Sequence, residues 1–98
     1  MKGFAERKVP SGKLVKAAVE FSSAIVKVRF FGDFFLHPED TLDAIEKNLV
    51  GLPAVFPLED FEKKIESVLK KENAQLVGAT ANDFAVVLQE AIQNSGKE

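Results

Sequence analysis

From Leu14 to Phe21 apolar side chains fall on every second position. Val15, Ala17, Val19 and Phe21 share one face, and Lys16 and Glu20 point the other way, which is the period of a half-buried strand. Ser22-Ser23 supplies a tight connection. The alternation then resumes from Ile25 to Phe31, with Val26, Val28 and Phe30 on one face and Lys27 and Arg29 interleaved on the other. The two segments predict an antiparallel hairpin. After His37 the spacing becomes helical, with a stripe of Leu42, Ile45 and Leu49. Pro38 suits the first turn, Glu39 and Asp40 suit the positive end of the helix dipole, and Gly51 stands where a C-terminal cap belongs. Leu52 to Pro57 links this helix to a second one from Leu58 to Lys71. Its inward positions are Leu58, Phe61, Ile65, Val68 and Leu69, and Lys70 and Lys71 sit at its negative end. Gln75 to Gly78 reads as a short strand or an extended connection. Thr80 with Asp83 three residues later has the form of a capping box, opening a third helix whose stripe is Phe84, Val87, Leu88, Ala91 and Ile92.

Residues 1–12 show no sustained periodicity, and Pro10-Ser11-Gly12 signals a turn, so this segment is expected to be an arm that can end in a strand. The sum is an α+β fold: a small antiparallel sheet, made of the hairpin and a possible short extra strand, covered on one face by three helices. The other sheet face, with Lys16, Glu20, Lys27 and Arg29, is left to water or a partner. One domain is expected over 1–98, with its core at 13–94 and a disordered tail at 95–98.

A chain of 98 residues with 46% hydrophobic and 29% charged residues is the size and composition of a soluble globular domain. No apolar run approaches the roughly 20 residues of a membrane span, and the N-terminus lacks the apolar core of a signal peptide, so no membrane and a cytoplasmic location are expected. The absence of cysteine removes disulfides, thiolate nucleophiles and sulfur-ligated zinc. A net charge of −2 gives little support to a sequence-independent grip on nucleic acid. Charge is nonetheless polarised. Lys2, Arg7, Lys8, Lys13 and Lys16 face the single acid Glu6 in the first stretch, whereas Asp33, Glu39, Asp40, Asp43 and Glu46 follow with no base among them.

Gly32-Asp33-Phe34-Phe35-Leu36-His37-Pro38 joins strand to helix through residues that packing alone does not demand, and argues for a docking surface. Phe34 and Phe35 cannot both point inward if the segment is extended, because successive side chains alternate. One belongs to the core and the other to a partner. His37, the only histidine, is read as a capping or packing residue, since base chemistry needs an orienting partner. Asp33, with Glu39 and Asp40 six and seven residues on, has no metal-ligand spacing and reads as a turn aspartate. Lys13 after Pro-Ser-Gly can approach a phosphate, but no full Gly-rich phosphate loop surrounds it. No catalytic residue and no metal site are expected. A generic protein-interaction or nucleic-acid-binding module is the alternative reading, the latter on the strength of Lys27, Arg29, Phe30 and Phe31 in one strand.

Lys8-Val9-Pro10-Ser11-Gly12-Lys13-Leu14-Val15-Lys16 entering a hairpin, Gly32-Asp33-Phe34-Phe35 with Pro38-Glu39 beyond it, a helix ending in Leu49-Val50-Gly51 and a late helix from Thr80 to Ile92 together resemble the C-terminal accessory domain of lipoate-protein ligases. The similarity spans nearly the whole chain, and Gly-Asp-Phe-Phe is its most specific element. Beginning at a methionine and lacking a ligase core, the chain looks like the separate small subunit of a two-chain ligase. The resemblance implies a non-catalytic partner of a large subunit that binds ATP, magnesium and lipoate, makes lipoyl-AMP, and passes the lipoyl group to a lysine of an acyl-carrier (lipoyl) domain. It implies that the small chain is needed for adenylation and binds no cofactor alone. The expected interface with the large subunit comprises Gly12, Lys13, Gly32, Asp33, Phe34, Phe35 and His37, with Lys13 near a phosphate.

Overall fold

Alternation and helical spacing resolve, in a computed structural model that describes residues 1–10 and 12–95, into five strands and three helices. The strands are β1 (Lys2–Lys8), β2 (Leu14–Phe21), β3 (Ile25–Gly32), β4 (Phe35–His37) and β5 (Gln75–Val77), and the helices are α1 (Thr41–Leu49), α2 (Leu58–Lys71) and α3 (Ala81–Gln93). The fold is α+β, with two antiparallel sheets. One has the order β1-β2-β3 and the other pairs β4 with β5.

The hairpin of β2 and β3 forms as its alternation requires. Val15, Ala17, Val19 and Phe21 are all buried. In β3 the buried set is Ile25, Val28 and Phe30, while Val26 is 60% exposed. An irregularity of register between Glu20 and Phe21 explains the difference, because a bulge carries the start of the partner strand to the opposite face.

Residues 1–12 depart further from expectation. In place of an arm, β1 pairs with β2 along its whole length, from Lys2 opposite Glu20 to Lys8 opposite Leu14. The third strand of the main sheet is therefore N-terminal. The short strand at Gln75–Val77 does form, but in a separate sheet, opposite a β4 drawn from the segment read as a loop, with Phe35 across from Val77 and His37 across from Gln75.

One sheet face is covered. α3 packs on β1 and β2, α1 on β3, and α2 on both of these helices. Phe61, Ile65, Phe84, Val87 and Leu88 are fully buried at this junction. Phe30 stacks on Phe84 with ring centroids 4.9 Å apart, a geometry that adds about 0.5–1.5 kcal/mol to the burial of each ring pair. α2 has the predicted bounds. α1 begins at Thr41, later than the expected start at Pro38: the Pro38 carbonyl instead accepts the Thr41 N–H at 3.0 Å. α3 opens on the predicted capping box, Thr80 and Asp83 bonding each other's backbone N–H groups. The expected tail at 95–98 lies outside the described residues apart from Ser95, whose hydroxyl donates to the Ile92 carbonyl at 2.8 Å.

Both outer edges of the three-stranded sheet carry a side-chain partner. On β3 the Phe30 N–H donates to Glu46 Oε2 at 2.8 Å. On β1 the Phe4 carbonyl accepts from Asn94 Nδ2 at 3.2 Å.

Candidate docking site

β2 descends from the Gly12-Lys13 turn and β3 climbs back to Gly32, so antiparallel pairing brings the two ends together, Gly32 lying opposite Val15. Two hydrogen bonds lock the junction. The Asp33 N–H donates to the Leu14 carbonyl at 2.8 Å, and Asp33 Oδ2 accepts the Leu14 N–H at 3.3 Å. Gly32 itself has φ +144 and lies so close to the Leu14 carbonyl that a β-carbon would overlap it. Only glycine fits that backbone without displacing the strand.

Beyond this turn Phe34 and Phe35 take opposite sides, as alternation demands. Phe34 is half-buried, its ring meeting Phe84 edge-on at 4.9 Å. Phe35 is 61% exposed, beside its cross-strand neighbour Val77, which is 51% exposed. The third helix thus decides which phenylalanine belongs to the core. Lys13 joins the same end of the molecule. A β-carbon on Gly78 would meet Lys13 Cδ at 3.0 Å and the Phe34 α-carbon at 3.5 Å, so the lysine stem lies across the turn between β5 and α3.

Six of the seven expected interface residues, Gly12, Lys13 and Gly32 to Phe35, are therefore neighbours. His37 is exposed at the far end of β4 and neither caps α1 nor packs in the core, because Pro38, Glu39 and Asp40 intervene before the helix begins. Next to Gly78 an open cleft of about 480 Å³ is lined by Arg7, Pro10, Ala79, Thr80 and Asp83. Arg7 Nε stands 3.4 Å from Asp83 Oδ1 on its wall. Among the described residues no group of three His, Asp or Glu side chains converges as a metal site, and no helix is long and apolar enough to cross a membrane.

Two features of the surface were hidden in the sequence. Val77 becomes part of an apolar patch only through pairing with Phe35. Phe4 and Phe31, 27 positions apart in the sequence, meet on the open sheet face with centroids 6.2 Å apart, a contact that exists only because β1 is a strand.

The architecture has a solved counterpart. A chain from a structural analysis of an archaeal lipoylation system, a bi-partite lipoate protein ligase and its E2 lipoyl domain from Thermoplasma acidophilum, superposes with a TM-score of 0.73 at 22% identity, covering 90% of this chain and 94% of that one. The fold is shared. Coverage of nearly the full length on both sides means that the likeness extends over the greater part of each chain. No family model and no curated protein sequence matches this chain.

Proposed function

We propose that this chain is the non-catalytic accessory subunit of a two-chain lipoate-protein ligase. The observation that carries the reading is the likeness over nearly the whole length to a chain of the Thermoplasma lipoylation system, joined to a Gly-Asp-Phe-Phe segment that packs one phenylalanine against the core and presents the other. In this reading the large subunit holds ATP, magnesium and lipoate, and the small subunit docks through the turn at Gly12-Lys13 and the segment from Gly32 to Phe35. Phe35 is the aromatic anchor, of the type that dominates interface energetics. Lys13 stands at the same end, where its ammonium group can meet a phosphate held by the larger chain.

The physical contribution is closure. A mixed anhydride such as lipoyl-AMP is destroyed by water, and a second domain laid over the active site excludes water and orders the loops around the phosphates. Transfer of the lipoyl group to the carrier lysine needs the site open again, so the accessory subunit acts on adenylation. The test is formation of lipoyl-AMP from lipoate and ATP by a catalytic large subunit of the same genome, with and without this chain. Adenylation only with both present is the expected result. Equal adenylation by the large subunit alone refutes the proposal.

A further inference from the structure

The open face of the three-stranded sheet carries a pattern that the fold does not need. Three cross-strand rows run over it: Phe4-Ala18-Arg29, Glu6-Lys16-Phe31 and Lys2-Glu20-Lys27. The two rings meet diagonally across β2, where Ala18 is too small to keep them apart, and remain 47% and 43% exposed. Around them stand four basic and two acidic side chains, a net positive surface on a chain whose net charge is −2. A shallow pocket of about 260 Å³ opens beside the rings between Lys2, Ala18, Lys27 and Arg29.

Size gives this face a role. A stable interface takes about 800 Å² from each partner and some 20–30 residues a side, far more than the turn at Gly12-Lys13 and the segment from Gly32 to Phe35 can supply. Phe31, the last outward side chain of β3, directly precedes Gly32, so the open face continues the docking site without a break. Charge selects the occupant. A second copy would set two positive faces against each other. A nucleic-acid strand would bring phosphates to Glu6 and Glu20, the latter engaging Lys2 at 3.7 Å, and the two rings lie against each other and leave no slot for a base. Side chains of both signs around a paired aromatic centre are the anatomy of a protein interface.

We infer that the open sheet face is the larger part of the docking surface for the catalytic subunit, and that the surface it covers is acidic around an apolar centre. This rests on the accessory-subunit reading. The test is calorimetric titration of the intact chain with the catalytic large subunit of the same genome, at low and high salt. Phe31→Ser, the double variant Lys27→Glu with Arg29→Glu, and Phe35→Ala are compared, each first shown by circular dichroism to be folded. Support is at least a tenfold loss of affinity in both sheet-face variants, the loss of the charge-reversed one shrinking as salt rises. Binding unchanged in both, with only Phe35→Ala impaired, overturns the inference and leaves the accessory role intact. No binding of the unmodified chain overturns both. Binding of a single-stranded oligonucleotide that the charge reversal abolishes also overturns the inference.

Discussion

Truncating Phe34 and truncating Phe35 remove different things. Phe34 meets the edge of Phe84 within the core, so Phe34→Ala is expected to cost about 2–3 kcal/mol of folding stability, less than a fully buried ring because one side is open. Phe35 stands in solvent. Phe35→Ala should leave the urea midpoint unchanged while, on the accessory-subunit proposal, weakening assembly with the proposed catalytic partner by about 2 kcal/mol. Equal loss of stability in both variants would show that the two rings are not divided between core and surface. Alternation in the sequence already demanded one ring in and one out, yet it could not say which. That choice is made by a helix that begins nearly fifty residues later, and no local pattern contains it.

At the level of elements, β2, β3 and all three helices follow from periodicity and capping residues, whereas β1 does not. Its inward positions are Gly3, Ala5 and Arg7, two small residues and a cation, so hydrophobic alternation is absent where a strand nevertheless forms. The reasons lie in α3. A β-carbon at Gly3 would overlap the Ala91 carbonyl, and Arg7 reaches Asp83 at the opposite end of the helix. Gly3→Ala should therefore destabilise the chain by roughly 1–3 kcal/mol, as overpacking does, seen as a lower melting temperature. No change would mean that α3 can shift freely on β1. The junction of α1 with β3 sets a pH dependence. Burial raises the pKa of Glu46 above its ordinary 4.5, with Asp43 adding to the rise, against the lowering effect of the Phe30 N–H and Arg29. The folded chain then binds a proton more readily than the unfolded one, so stability falls as pH climbs from 4.5 through the raised value. Glu46→Gln keeps an oxygen for the Phe30 N–H and removes the titration. Urea unfolding across this window should show a flatter dependence for the variant, with stability at neutral pH equal or higher. An unaltered slope would assign the dependence to other groups.

For the whole molecule, charge and shape separate into sides. The helices bury one sheet face, the open face is basic, and the segment from Asp33 to Glu46 is acidic, a division the sequence shows as runs of like sign but cannot place in space. The candidate site is similarly half-legible. Gly12, Lys13 and Gly32 to Phe35 stand out by residue type, and hairpin topology brings them together. Phe4 and Val77 do not, because each gains meaning from a partner in another strand, and Phe31, legible only as a base-stacking candidate, finds its ring partner through β1. A ladder of backbone groups at a sheet margin is a template on which further chains can polymerise. Glu46 and Asn94, each bonded to a main-chain group at one margin, act as chain terminators. One position at each margin is thereby already occupied, which works against growth of this sheet into fibres.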